Sequence, residues 1–291
     1  MESPRNRALS FLLAAQNSDG GWGYKDGGSW AEPSAYALLA LTTDTSAADG
    51  VGRGVRWLTG LQRPDGGWPP RLAVGHSTWV TALAVLALAE RLAPEALDRA
   101  TQWMLGQSGR ESGFLQRLRL RLLGVEAGVD TGHEGWSWFP GTSAWVAPTS
   151  LTILALEKVR RRAPSPPLAE RLESGRRFLW SRMCGDGGWN HGASRELGYP
   201  AGSYPETTGL VLLALHGGKD PRFPRALAAA ERHLRACRSA EGISWLRLGL
   251  FAHATPMAAR PFPEAQCGGV MDNALFLLAE SAAAGRSSFL E

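Results

Sequence analysis

The sequence predicts an all-α fold, an α/α toroid (barrel) of five to six outer and inner helix pairs, and three observations predict it. First, the string Asp-Gly-Gly-Trp recurs at residues 19–22, 65–68 and 186–189. Second, the helical stretch before each such loop is amphipathic, whereas the one after it is apolar nearly all round. Third, the strong helix formers Ala and Leu dominate, and no alternating run bounded by hairpin turns competes with them. Stacked helix pairs make a solenoid or a closed ring. Inner helices this uniformly apolar need other inner helices on both flanks, which favours closure into one domain over residues 1–291.

The repeats are read in order as approximately 5–43, 50–92, 95–160, 167–216 and 222–284. In the first two, Phe11-Leu12 leads to Gln16 and Trp57-Leu58 to Gln62 at identical spacing. In the third, Trp103-Met104 precedes Gln107 one residue sooner. In the fourth and fifth, Met183 and Arg238 stand where the glutamine would be. The inner helices read AEPSAYALLAL, WVTALAVLAL, APTSLTILAL, ETTGLVLLAL and MDNALFLLAE. Aligned on their Leu-Ala pairs, they place Ser34, Thr81, Thr149, Thr208 and Asn273 at one position. Gly after each outer helix supplies a left-handed stop, and Pro33, Pro148 and Pro205 fall near inner-helix starts, where a missing N–H costs little. Each loop Trp is expected to brace the end of a neighbouring pair, its indole N–H reaching a carbonyl. Two further helical stretches, near 113–124 and 243–253, read as extras. The apolar run from Gly242 to Ala254 reads as a barrel plug or a membrane-resting segment.

Composition narrows the function. The 291 residues carry a net charge of +4, and no basic stripe interleaves with exposed aromatics, which argues against nucleic acid. Arg117, Arg119 and Arg121 alternate with Leu on an expected helix, as a solvated face or an anion contact. Three widely spaced cysteines build no disulfide frame, and no apolar run reaches the ~20 residues of a membrane span. A cytoplasmic protein is expected, with peripheral membrane contact and a partner subunit left open. The anomaly is aromatic: 12 Trp against four Tyr and nine Phe.

A barrel gathers its inner-helix starts around one opening, so carboxylates and aromatics there are the candidates. Glu32, Glu206 and Asp272 are such carboxylates, with Asp130 and Glu134 in the loop before the third inner helix. A general acid needs burial to raise its pKa, while the helix dipole pulls the other way. Ser29-x-x-Glu32 and Ser203-x-x-Glu206 also read as capping boxes. Trp30, Trp79, Trp136, Trp138, Trp145 and Tyr204 are candidate cavity-wall residues, joined by His76 at the mouth. Such rings suit an apolar chain and stabilise a cation over their faces. No Cys/His pair has metal-ligand spacing, so no cofactor or metal is expected, with zinc or magnesium as the lesser alternative.

A Phe/Trp-Leu-x₃-Gln helix end followed by Gly-x-Trp resembles the QW repeat of the squalene–hopene cyclase and protein prenyltransferase superfamily. The likeness covers about residues 8–282 and implies a toroid whose aromatic-lined cavity takes isoprenoid chains. Terpene cyclases of this kind carry an Asp-x-Asp-Asp motif whose middle Asp protonates the substrate. The chain lacks it; the nearest match, YPETTGLVLLAL, puts Glu206 in the middle place, with Tyr204 and Thr207 for the flanking acids. The prenyltransferase zinc site is not recognisable either, since Cys267 and Asp272 have four residues between them. The resemblance implies a polyprenyl or triterpenoid-type substrate, with Glu206 and Asp272 as the catalytic candidates for acid-initiated cyclisation or prenyl transfer. Two other classes stay open: a non-catalytic hydrophobic-ligand-binding or scaffold toroid, and a glycan-processing α/α toroid, which carboxylates facing across the mouth would favour.

Overall fold

The computed structural model describes residues 2–25, 27–110, 132–192, 195–196, 199–255, 262 and 267–291. The helices among them are α1 (Pro4–Ala14), α2 (Ala31–Leu41), α3 (Ala48–Gly60), α4 (Val80–Leu88), α5 (Pro94–Leu105), α6 (Val146–Arg162), α7 (Pro166–Ser181), α8 (Pro205–Ala214), α9 (Phe223–Ala236), α10 (Ala240–Ala252) and α11 (Val270–Ala283). Two short antiparallel pairs accompany them: β1 (Trp136–Ser137) with β2 (Ala144–Trp145), and β3 (Arg195–Glu196) with β4 (Tyr199–Pro200).

Six of these helices form a closed inner ring. α2, α4, α6, α8, α10 and α11 each pack against the next in that order, and α11 returns to α2. α1, α3, α5, α7 and α9 lie outside them, giving the two layers of an α/α toroid. Burial follows from composition: every residue of α4 from Val80 to Leu88 is buried, whereas α9 buries one stripe and exposes its charges.

The repeated Trp holds each pair together. The indole Nε1–H of Trp22, Trp68, Trp136 and Trp189 donates to the carbonyls of Leu12, Leu58, Met104 and Leu179, at 2.8, 2.7, 2.8 and 2.6 Å. These acceptors belong to the outer helix of the same repeat, not to the neighbouring pair. The backbone N–H of the same four residues donates to the hydroxyls of Ser34, Thr81, Thr149 and Thr208, at 2.8, 2.8, 2.8 and 3.0 Å. That is why a small hydroxyl residue recurs on the inner helices: a buried N–H left bare costs roughly 1–3 kcal/mol. In the sixth stave Asn273 instead donates its own amide to Gly269 O at 2.9 Å.

The glutamines stitch one repeat to the next. Gln16 Nε2 donates to Gly20 O and to Gly50 O of α3, and Gln62 Nε2 donates to Gly66 O and to Ala96 O of α5. In the third repeat Arg171 of α7 takes this place. Its guanidinium donates to the carbonyls of Gln107, Glu134 and Gly135 and stacks over Trp136 at 3.5 Å. The first Gly of each Asp-Gly-Gly-Trp copy takes positive φ, +97° at Gly20, +91° at Gly66 and +99° at Gly187.

Four expectations need correction. The stretch from Gly242 to Ala254 is neither plug nor membrane anchor: Ala240–Ala252 is the fifth stave, α10, one of six in the inner ring among the described residues. It fits because α8 and α10 cross at glycines. A Cβ on Gly209 would lie 2.3 Å from the Trp245 backbone, and one on Gly249 would lie 2.4 Å from Gly209 O. Trp245, which the sequence reads as a repeat-loop Trp, therefore sits in a helix. Trp136, expected in the cavity wall, is the loop brace of the third repeat and is 2% exposed. Ser29 and Ser203 cap no helix, because α2 and α8 begin after Trp30 and Tyr204. Both serines instead bond to Asp19 and Asp186 of their loops. The expected helix near 113–124, with Arg117, Arg119 and Arg121, and the candidate Asp130 lie outside the described residues.

Candidate active site

Because every inner helix of the first four repeats follows an outer helix through a loop, the inner N-termini share one end of the barrel. The N-cap residues there are Trp30, Trp79, Trp145 and Tyr204, none of which makes a side-chain cap. N-caps are ordinarily Ser, Thr, Asp or Asn, whose side chains satisfy the first amides. Here the next loop does part of that work. Ala31 N–H donates to Pro70 O at 2.8 Å, Trp79 N–H to Trp138 O at 3.2 Å, and Val146 N–H to His191 O at 3.1 Å. Each acceptor lies two residues past a brace Trp, so the side chain at the helix start is free to be aromatic.

The result is a belt of rings around the mouth. Tyr24 meets Trp30 at 5.5 Å, Trp79 meets Trp138 at 4.7 Å, and His191 lies between Trp145 at 6.4 Å and Tyr204 at 5.3 Å. Arg71 stacks over Trp30 at 4.8 Å. Tyr24, Trp145 and Tyr204 are each about 40% exposed, large for rings with no structural duty to be at the surface. His76 is exposed on the rim loop, 6.1 Å from Phe139.

Carboxylates complete the mouth. Glu32, Glu206 and Glu241 are the second residues of α2, α8 and α10, and Asp272 is the third of α11. In ring order α8, α10, α11 and α2 are consecutive, so acids line one arc and aromatic N-caps line the arc α2, α4, α6, α8. Burial, followed by the charges of Glu206 and Asp272, pushes the Glu241 carboxyl above the ordinary carboxylate range; a hydrogen bond from Trp245 opposes the rise. Burial also raises Glu32, with Glu241 adding to it and a hydrogen bond from Tyr24 opposing it. Helix N-termini favour ionised carboxylates, yet here burial and like charge outweigh the dipole. Asp272 accepts from Gly268 N–H at 3.2 Å. Glu134 lies apart, in the third-repeat loop, its N–H bonded to Ser174 Oγ at 3.1 Å.

The floor is aromatic. Tyr36 of α2 meets Trp245 of α10 edge-on at 6.0 Å, and Phe289, 1% exposed, meets Trp245 at 5.6 Å. Glu241, Tyr24 and Tyr36 escaped sequence reasoning. The available signal for Glu241 was its place, second in an apolar helix like Glu32 and Glu206, hidden because that helix read as an extra.

A second polar cluster resembles nucleophilic machinery but is structural. Ser203 Oγ lies 2.8 Å from Asp186 Oδ2 and 2.7 Å from His233 Nε2. The hydroxyl donates to Asp186, so His233 donates to it rather than abstracting its proton. The same Asp–Ser pair recurs as Asp19–Ser29 and Asp65–Ser77. Among the described residues no group of three or more His, Cys, Asp or Glu is placed to hold a metal ion, and no helix is long and apolar enough to cross a membrane.

No protein-family model matches the chain. A segment of it is 43% identical over 72 residues to a drimenyl diphosphate synthase of Streptomyces showdoensis, covering 22% of this chain and 13% of that protein. Another alignment, 40% identical over 82 residues, is with protostadienol synthase A of Arthroderma gypseum, covering 24% of this chain and 11% of that protein. The match thus spans about an eighth of the curated relatives' length. Over nearly its whole length the chain superposes on a type II terpene cyclase, MstE from Scytonema, in complex with the product merosterolic acid A (TM-score 0.61, 15% identity, 97% of this chain and 96% of that one). It also superposes on MstE in complex with the substrate geranylgeranyl dihydroxybenzoate (TM-score 0.57, 17% identity, 95% and 77%). A GH8 endo-beta-1,4-glucanase from an Achatina fulica gut metagenomic library matches comparably (TM-score 0.60, 13% identity, 98% and 98%). At these identities the likeness to the solved structures is one of fold, the α/α toroid.

Proposed function

We propose that this toroid is an isoprenoid-handling protein of the terpene-cyclase kind, which takes a polyprenyl or triterpenoid-type substrate into its mouth and starts cyclisation with a carboxyl proton. One observation carries the reading: at one end of the barrel, consecutive inner-helix starts bear carboxylates along one arc of the ring and aromatic N-caps along the other. The local likeness to terpene synthases and the shared fold with a cyclase support it.

The chemistry follows from the two arcs. A carboxyl raised by burial and like charge holds its proton to higher pH than an ordinary one and can give it up to an alkene. The O–H bond breaks, a C–H bond forms, and the carbon skeleton carries a cation. Rings such as Trp30, Trp79, Trp138, Trp145 and Tyr204 stabilise that charge over their faces and exclude water that would quench it. Loss of a proton from the cyclised cation restores the carboxyl. In this reading Glu206 and Asp272 flank Glu241, and their charges hold its proton in place; Glu32 closes the arc from the other side.

A second reading, a glycan-processing toroid, draws on the same carboxylate arc and on the fold shared with the endoglucanase. Product analysis by mass spectrometry separates the two. Incubation with geranylgeranyl-chain compounds is expected to give a cyclised isomer of unchanged mass, while cellohexaose stays intact. Shortened oligosaccharide without any isoprenoid product would establish the second reading instead.

A further inference from the structure

A cleft of about 440 Å³ opens between α7, the loop that follows α8 and the start of α9. Its volume falls in the range of small-molecule sites, roughly 300–1,000 Å³. One wall is a second stripe of α7: Glu173, Arg176, Arg177 and Trp180 stand at i, i+3, i+4 and i+7, beside the face that buries Leu172 and Phe178 in the core. The back is apolar. Leu215 and Phe223 line it and are buried, and the Trp180 ring meets Phe223 edge-on at 5.0 Å with the Arg222 guanidinium over it at 4.5 Å. Cations outnumber acids around this back: Arg176, Arg177, Lys219 and Arg222 against Glu173 and Asp220. Asp220 is taken by Arg222, Oδ1 by Nε at 2.8 Å and Oδ2 by Nη2 at 2.7 Å, whereas Glu173 engages only Nε of Arg177, at 3.1 Å. The two terminal nitrogens of Arg177 and the Lys219 ammonium have no partner among the described residues. Arg176 reaches the buried Glu157, but Arg160 shares that carboxylate, so the pair leaves the surplus of positive charge in place.

We propose that this cleft is a binding site for an aromatic phosphate monoester, its phosphate held by Arg177 and Lys219 and its ring against Trp180 and Phe223. A phosphate monoester loses its second proton near pH 6, at about the value of a phosphorylated side chain, so it meets the two surplus positive charges as a dianion at neutral pH. The planar fork of terminal nitrogens on Arg177 matches two phosphate oxygens, and the Lys219 ammonium adds a point charge. A carboxylate would leave one surplus charge unmatched, and inorganic phosphate would leave the apolar back in water. The cleft shares no side chain with the acid mouth. Leu215, just past the end of α8, lies roughly 14 Å along the helix axis from Glu206 at its start. The inference therefore stands apart from the isoprenoid reading.

The test is isothermal titration of phenyl phosphate, inorganic phosphate and benzyl alcohol into the unaltered protein and into Arg177→Glu and Lys219→Glu. Both side chains are exposed, so the variants keep the fold, which thermal melting checks. Phenyl phosphate is expected to bind at one site, more tightly than inorganic phosphate, and benzyl alcohol not at all. Each charge reversal is expected to weaken phenyl phosphate at least about tenfold, the worth of one hydrogen bond to a charged group. Added salt should weaken it as well, since the cleft is open to solvent. Failure of phenyl phosphate to bind, equal affinity for inorganic phosphate, or binding that both reversals leave unchanged would overturn the inference. None of these outcomes bears on turnover at the mouth.

Discussion

Thr81 Oγ1 lies 2.8 Å from the backbone nitrogen of Trp68, and the Trp68 indole donates to Leu58 O at 2.7 Å. One loop residue therefore ties the start of α4 to the end of α3, and the arrangement repeats four times around the ring. Thr81→Val keeps the shape and removes the acceptor, leaving a buried N–H bare. Chemical denaturation should show a loss of roughly 1–3 kcal/mol, largely restored by Thr81→Ser. A loss below experimental error would mean that this hydroxyl is incidental.

The crossing of α8 and α10 makes a sharper structural prediction. A methyl group at Gly209 would meet the Trp245 backbone at 2.3 Å, so Gly209→Ala must push the two staves apart. Overpacking of this kind typically costs about 1–3 kcal/mol and occasionally more. Gly52→Ala, in α3 with nothing nearer than 3.7 Å, should instead stabilise by about 0.5–1 kcal/mol through helix propensity. Denaturation midpoints moving the same way for both variants would contradict the placement of α10.

These staves also show how far the sequence could be read. Four inner helices announce themselves because a Gly-Trp loop and a hydroxyl anchor are local signals, written within about 20 residues of each other. α10 follows α9 after only three residues, with no Gly-Trp loop, so nothing near it marked it as a stave. Missing it hid Glu241, the carboxyl that burial and then the charges of Glu206 and Asp272 raise. Tyr36 was hidden for a different reason. On a helix buried all round, periodicity does not tell which side chain faces the centre. Trp136 was misplaced because its loop reads Glu-Gly-Trp instead of Asp-Gly-Gly-Trp, although its contacts are those of the other three.

The acid arc predicts a pH signature. Glu241 is held above the ordinary carboxylate range by burial and by Glu206 and Asp272. A carboxyl raised in the folded state contributes stability that is complete below the unfolded pKa, about 4.3. That contribution is lost as pH rises through the raised value. Glu241→Gln abolishes the loss, so its Tm should exceed the parent's at pH 7, and the difference should vanish toward pH 4. A Tm difference that is flat between pH 4 and 7 would show that Glu241 is not under strain.

At the other end of the barrel, Lys158 is 7% exposed, donates to Leu86 O at 3.2 Å, and has its pKa pushed down to about 8, mainly by burial and then by Arg161. A depressed lysine contributes stability that is present above its unfolded pKa of about 10.4 and lost as pH falls through the folded value. Stability of the parent relative to Lys158→Met should therefore climb between pH 8 and pH 10. No climb would mean that the ammonium is solvated in the folded protein.

The most direct test of the acid mouth is turnover of a geranylgeranyl-chain substrate in deuterated water, followed by mass spectrometry of the product, for the parent protein and for Glu206→Gln, Glu241→Gln and Asp272→Asn. Proton donation from the arc predicts a cyclised product carrying one solvent-derived deuterium. It also predicts that Glu241→Gln reduces turnover by at least about a hundredfold, the lower range for losing an acid catalyst, and that Glu206→Gln and Asp272→Asn, which remove only the charges that raise Glu241, each reduce it less, while all four proteins stay folded. Full turnover in both glutamate variants, or a cyclised product without deuterium, would contradict it.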